Sequence, residues 1–224
     1  MQTITTFDVT TIKAALETLI PTGIFDTVSV DDTQTGFEII QCYKDSVLIL
    51  TVSLNTTNDL WTVTPYIAAS TPAASSHKLE SIKFNEGYIC TQCLYLITTA
   101  ASSMRLHLLI TKGNNGKLVT IKGSESTSFN ITSSSNLYTT CMGDDTSSSL
   151  YTSGYKLPGY FTSSATTTAD RTQTLKIPII GSLGSSGYVT GVKGVYMRQF
   201  AEQGTIYIDG QKYYCAYRYA ILDE

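Results

Sequence analysis

Two cysteines three residues apart, two isolated histidines and a few adjacent acids are the groups in this sequence whose types and spacing could do chemistry. Cys90-Thr91-Gln92-Cys93 has the spacing of a redox or zinc-binding pair. A redox CxxC of the thioredoxin kind needs a strand running into a helix whose N-terminus lowers the thiol pKa. The context here, Gly87-Tyr88-Ile89-Cys90-Thr91-Gln92-Cys93-Leu94-Tyr95-Leu96-Ile97, reads instead as one continuous strand. Side chains alternate along a strand, so positions three apart face opposite ways and the two sulfurs are expected not to converge. Zinc would need two further ligands, and the sequence holds no second CxxC and no paired histidines, since His77 and His107 each stand alone. The five cysteines (Cys42, Cys90, Cys93, Cys141 and Cys215) are odd in number and define no disulfide framework. They read as small hydrophobes with free thiols.

The acids give no stronger signal. Gly143-Asp144-Asp145 lacks the alternating carboxylates and the downstream glutamate of a calcium loop, and reads as a solvated turn. Asp144/Asp145 and Asp223/Glu224 are neighbours at a loop and a terminus, whereas glycoside hydrolysis needs two acids held across a cleft. His107 lies between leucines in a strand-like run, and neither histidine has Ser and Asp nearby for a triad. GxSxG, HExxH, a Walker loop and a dinucleotide fingerprint are all missing. Asn130-Ile131-Thr132 fits the glycosylation pattern, but no secretion signal accompanies it. The sequence therefore implies no enzyme, no cofactor and no metal.

The composition describes what must carry any function. At 224 residues the chain is long enough for one large all-β domain or two smaller ones. Only 15% of its residues are charged, while Ser and Thr make up roughly a quarter, and fifteen tyrosines stand against a single tryptophan. Low charge with abundant Thr and Tyr suits strands that pack or pair more than a solvated monomer. With a net charge of −3 and scattered basic residues, there is no electrostatic footprint for nucleic acid. No membrane-length apolar run and no targeting segment are visible, so the chain is expected to be made in the cytoplasm without membrane insertion.

The elements follow from periodicity and turn chemistry. Asp8–Ile20 is the one helical stretch, with Ile12, Ala15, Leu16 and Leu19 on one face, Asp8 or a following threonine as cap, and Pro21 with Gly23 as stop. It is expected to pack over one end of a sheet. Residues 36–43 and 46–54 read as a hairpin around Lys44-Asp45, with the second strand apolar enough to be central. Further strands are expected over Trp61–Ile67, over Ser81–Asn85 and Gly87–Thr98 paired around Glu86-Gly87, over Met104–Lys112 and over Lys117–Lys122. A loop over 71–78 and a turn over Gly113–Gly116 separate them.

From Gly123 to Asp170 the chain is dominated by Ser, Thr, Gly and Tyr, and reads as long surface loops or an arm. Tyr138, Tyr151, Tyr155, Tyr160 and Phe161 give it aromatic anchors that would order against a partner, for example a neighbouring copy. Arg171–Ile180 resumes strand character, and Gly181–Gly187 reads as a flexible bend. The last unit carries the strongest local signal. Asp209-Gly210 lies between Thr205–Ile208 and Lys212–Tyr219, the composition of a type I′ hairpin. Its tyrosines Tyr207, Tyr213 and Tyr217 join the expected partner contacts.

The expected fold is mainly β: an antiparallel sandwich-like domain with one N-terminal helix and a C-terminal hairpin. Residues 1–122 would hold the helix and β core, 123–170 the loop or arm, and 171–224 a β segment closing the same fold. Val195-Tyr196-Met197-Arg198-Gln199-Phe200, the hairpin Gly204–Tyr213 and the terminal Ile221-Leu222-Asp223-Glu224 together resemble the C-terminal end of small structural proteins of tailed bacteriophages and prophages. That resemblance, over about the last forty residues, implies a β-rich virion component in the neck, tail or capsid surface. Its partners would be copies of itself and other virion proteins. The alternative is a carbohydrate-binding or host-receptor-binding module on the virion, with a surface glycan as ligand.

Overall fold

The computed structural model describes residues 2–68, 71–72, 78–101, 104–112, 118–126, 137–141, 149–152, 177–178, 180–183, 186–189, 194–196, 204–216 and 219–223. Strand β1 (Gln2–Ile4) leads into helix α1 (Val9–Glu17). The helix begins where it does because the Thr11 N–H donates to Asp8 Oδ1 at 2.7 Å, satisfying an amide that has no partner inside the helix. Val9, Ile12, Ala15, Leu16 and Leu19 turn inward. Beyond Glu17 the chain tightens into a single 3-10 turn (Ile20–Thr22) containing Pro21, and Gly23 ends it in the left-handed region at φ 76°. Lys112 Nζ donates to the Thr22 carbonyl at 2.6 Å, tying this end to a strand ninety residues away.

Strands β2 (Thr27–Asp31), β3 (Phe37–Lys44), β4 (Val47–Asn55), β5 (Leu60–Ala68), β6 (Thr71–Pro72) and β7 (Leu79–Ile82) form a first antiparallel sheet. Its order is β2-β3-β4-β5-β6, with β7 also on β5. The expected hairpin forms, but its turn is one residue later than Lys44-Asp45: Lys44 pairs with Val47, and Asp45 and Ser46 are both at positive φ (50° and 64°), as a two-residue primed turn requires. Pro65, which has no N–H to donate, lies in β5 opposite Leu50. On its other edge β5 pairs with β7 at Trp61 and Val63 and with β6 at Tyr66 and Ala68, so Pro65 falls in the gap between those two partners.

The second sheet adds β8 (Glu86–Ile89), β9 (Cys93–Ala101), β10 (Met104–Lys112), β11 (Leu118–Ser126), β12 (Leu137–Cys141) and β13 (Ser149–Thr152) to β1, in the order β1-β8-β9-β10-β11-β12-β13. The remaining strands are β14 (Ile177–Pro178), β15 (Ile180–Leu183), β16 (Ser186–Val189), β17 (Gly194–Tyr196), β18 (Gly204–Ile208), β19 (Gln211–Ala216) and β20 (Tyr219–Leu222). Five of them make a third sheet, β14-β17-β20-β19-β18, and β15 pairs with β16.

One hydrophobic cluster joins the helix to both large sheets. Ile12, Leu16 and Leu19 of the helix side meet Ile40, Cys42, Leu50, Val52, Trp61 and Val63 of the first sheet. Leu94, Leu96, Leu108 and Ile110 of the second sheet complete the cluster. The chain is thus mainly β and sandwich-like, with antiparallel sheets, one N-terminal helix and a C-terminal hairpin. In β9 and β10 successive residues are buried on both faces (Leu94 through Thr98, and Leu108 through Thr111), which explains their unbroken apolar runs.

The expected loop over 71–78 begins with strand β6, and the expected strand Lys212–Tyr219 ends at Ala216, with Tyr219 opening β20 opposite it. Three further expectations change. Residues 81–85 do not form a strand paired with 87–98; only the Asn85 N–H, just before β8, donates to the Ile97 carbonyl at 2.9 Å. The strand there is β7, which belongs to the first sheet. Ser81 takes φ 53°, and Phe84 packs against Trp61 (5.7 Å between ring centroids) and Phe7 (5.9 Å) as the chain crosses to the second sheet. The second change concerns Gly123–Asp170: β11 continues to Ser126, and β12 and β13 extend the sheet, so part of that polar stretch is strand. Its Ser and Thr residues are compatible with pairing because backbone groups, not side chains, make the ladder. Last, Gly181–Gly187 is largely the hairpin β15–β16 rather than a bend, with Ser182 opposite Gly187.

Candidate functional site

Two places gather reactive or recognition-type side chains. The first is the turn between β8 and β9. Ile89 pairs with Leu94, and the Cys90 N–H donates to the Cys93 carbonyl at 3.0 Å, so only Thr91 and Gln92 form the loop. The apolar run is therefore folded back on itself rather than continuous. The two cysteines end on the same side of the turn with their Sγ atoms 3.4 Å apart. The expectation that the sulfurs would not converge is overturned, because alternation applies within a strand and not across a hairpin tip.

The turn is held from the neighbouring strand. Thr111 Oγ1 donates to the Gln92 carbonyl at 2.9 Å, and Thr111 is itself the register partner of Cys93. Both cysteines are buried, while Thr91 is exposed. Their environments separate the two thiols. The hydrogen bond from Cys93 stabilises the Cys90 thiolate, and with the backbone N–H groups of Gln92 and Cys93 it outweighs burial, holding Cys90 down to about 7. Cys93, which donates that bond and is fully enclosed, is pushed well above the ordinary thiol range. Cys42, in the core on β3, is raised by burial alone. Among the described residues no group of three or more His, Cys, Asp and Glu side chains could hold a metal ion.

The second place is the C-terminal hairpin. Asp209 and Gly210 take φ 49° and 77°, the primed turn that Asp-Gly implies. That turn fixes the register Tyr207↔Lys212, Ile206↔Tyr213 and Thr205↔Tyr214, and the two faces differ. Ile208 and Tyr213 turn inward, with the Tyr213 hydroxyl donating to Gln211 Oε1 at 3.2 Å. On the other face Tyr207 is 71% exposed. Beside it, Lys212 Nζ lies 5.0 Å from the Tyr214 ring centroid and 2.7 Å from Asp223 Oδ2. The Lys212 ammonium holds the Asp223 carboxyl below the usual carboxylate range, and Asp223 in turn raises Lys212.

The expected contact residues are thus sorted. Tyr207 is a surface side chain. Tyr213 is a core side chain and is not available to a partner, because the two-residue turn places it on the opposite face. Tyr138 and Tyr151 are register partners on β12 and β13. Tyr155, Tyr160, Phe161 and Tyr217 lie outside the described residues, as do His77, Asn130, Asp144, Asp145 and Glu224. His107 is on β10, opposite Ile97 and Gly123. Sequence reasoning missed Lys212, Tyr214 and Asp223. The turn alone would have placed Lys212 beside Tyr207 and put Tyr214 on the same face, two residues along.

Comparison of the chain with protein-family models, with curated proteins and with solved structures finds no match in any of the three. Among the described residues no helix is long and apolar enough to cross a membrane.

Proposed function

We propose that this protein is a structural component that works by joining copies of itself through the edge of its C-terminal sheet, as a virion protein of a tailed bacteriophage or prophage. The observation that carries the reading is strand β18. It is the terminal strand of its sheet among the described residues, and Gly204-Thr205-Ile206-Tyr207-Ile208 contains neither a charge nor a proline. Sheet edges in proteins that stay apart are usually blunted by charge, proline or a bulge; this one has an exposed tyrosine instead. A second copy pairing along β18 would satisfy its outer backbone groups and cover Tyr207, the kind of side chain that anchors interfaces. The low charge and high Thr and Tyr content fit a chain whose surface is covered in an assembly. The virion setting rests on the resemblance of the last forty residues to phage structural proteins.

Light scattering after size-exclusion chromatography tests this. The wild-type chain is expected to form a defined oligomer. Tyr207→Lys, which places a charge on the edge, should weaken association roughly tenfold or more while the circular dichroism spectrum stays unchanged. A wild-type chain that remains monomeric at every concentration reached, or a Tyr207→Lys variant that assembles as well as wild type, would remove the basis of the proposal.

A further inference from the structure

Nothing in an assembly role uses the Cys90–Cys93 turn, and its geometry is that of a reactive dithiol. We infer that Cys90 and Cys93 form a redox site that closes to an intramolecular disulfide by exchange with low-molecular-weight disulfides of the glutathione class.

Three observations support it. The sulfurs are 3.4 Å apart, so a movement of little more than an ångström brings them to the roughly 2.05 Å of a bond. The backbone is already closed by the Cys90 N–H to Cys93 carbonyl bond, and the Thr111 hydroxyl fixes the intervening Gln92. Closure therefore needs rotation of two side chains and no change of fold. The two thiols are also inequivalent. Cys90 accepts its neighbour's hydrogen bond and is the better anion, while Cys93 keeps its proton until a bond to Cys90 is there to attack.

The exchange balances. Cys90 loses its proton to solvent, and its thiolate attacks one sulfur of the small disulfide. A Cys90 mixed disulfide forms, and the first small thiolate leaves and takes up a proton. Cys93 then loses its proton and attacks the Cys90 sulfur. The Cys90–Cys93 bond forms as the second small thiolate departs and is protonated. Two protein thiols are oxidised by two electrons, and one small disulfide is reduced to two thiols. Burial of both cysteines limits the site to small, flexible partners that can reach the turn beside exposed Thr91.

The test uses the full chain equilibrated in buffers of varied reduced-to-oxidised glutathione ratio, acid-quenched, alkylated and digested with trypsin. The peptide Phe84–Arg105 carries both cysteines and no other. It is expected to lose two hydrogens at ratios where Cys42 stays a free thiol. Cys93→Ser should trap glutathione on Cys90 roughly tenfold or more faster than Cys90→Ser traps it on Cys93. If either variant fails to fold, wild-type protein answers the same question: limited alkylation should label Cys90 ahead of Cys93. No intramolecular disulfide at any ratio overturns the inference, and so does equal or reversed reactivity of the two thiols. A bond that forms only after denaturation overturns it as well.

Discussion

Gly87 sits directly opposite Ile4, and a β-carbon on Gly87 would lie 3.1 Å from the Ile4 Cβ. The same atom would stand 3.1 Å from Phe7 Cε1 and 3.3 Å from Leu96 Cδ2, so it is enclosed on three sides. The close approach of β1 to β8 thus relies on the missing side chain at residue 87, since a β-carbon there would push its neighbours back by a few tenths of an ångström.

Gly87→Ala is expected to cost about 1–3 kcal/mol, the usual penalty for overpacking a closed site. Thermal unfolding followed by circular dichroism measures it. Gly210→Ala is the control for backbone strain without crowding: nothing lies within 4 Å of the added carbon, but φ is +77°. Its cost should be nearer 1 kcal/mol, from the left-handed conformation alone. A Gly87→Ala variant as stable as wild type would contradict the packing of β1.

Phe84 is where the chain passes from one sheet to the other, wedged between Phe7 and Trp61. Truncation to Ala removes a buried ring that both sheets share. Urea titration should show a loss of roughly 3–5 kcal/mol, as for other large-to-small core changes. Phe84→Leu should recover a good part of it, because volume is mostly retained. Equal losses for the two variants would argue against a packing role.

Asp8 gives a pH-dependent prediction. Its bond from the Thr11 N–H holds the carboxyl below the usual value in the folded chain. A depressed folded pKa means stabilisation that is full above the unfolded value of about 3.9 and is lost as pH falls through the folded value. Asp8→Ala should therefore cost about 1 kcal/mol near neutral pH and almost nothing in strong acid. Melting temperatures of the two proteins across the acid range would converge; a constant gap would sink the capping account.

Lys212 and Asp223 lock the end of the chain onto β19, and their titrations bound the lock on both sides. Asp223 is depressed by Lys212, so its contribution disappears as pH falls through the folded carboxyl value. Lys212 is raised by Asp223, so its contribution is present below the unfolded lysine value and disappears as pH rises through the folded one. Hydrogen exchange of the Asp223 amide, which donates to the Lys212 carbonyl, reports the lock directly. Asp223→Asn should speed that exchange at neutral pH, and added salt should speed it in wild type more than in the variant. Equal salt effects in both proteins would show that the ion pair contributes nothing.

Local chemistry was legible in the sequence wherever a few adjacent residues decide the backbone. Asp209 with Gly210 is a turn because of what the two residues are, and Asp8 starts a helix because its carboxylate reaches an amide three residues on; the turn between β3 and β4 was legible only to within one residue, at Asp45-Ser46 rather than Lys44-Asp45. The mainly antiparallel β architecture, the single helix and the inward face of Ile12, Leu16 and Leu19 followed from periodicity for the same reason. The CxxC spacing was legible, but the approach of the Cys90 and Cys93 sulfurs was not. A strand buried on both faces gives an unbroken apolar run, and nothing local to residues 87–97 marks where that run folds back. Only pairing of β8 with β9, and of β9 with β10, puts a turn at Thr91-Gln92 and turns two sulfurs toward each other. The tertiary structure likewise assigned β7 to the first sheet and separated exposed Tyr207 from buried Tyr213. Residue type sets the bend at a turn; which surfaces then meet depends on contacts between residues far apart in the chain, and those contacts exist only in the fold.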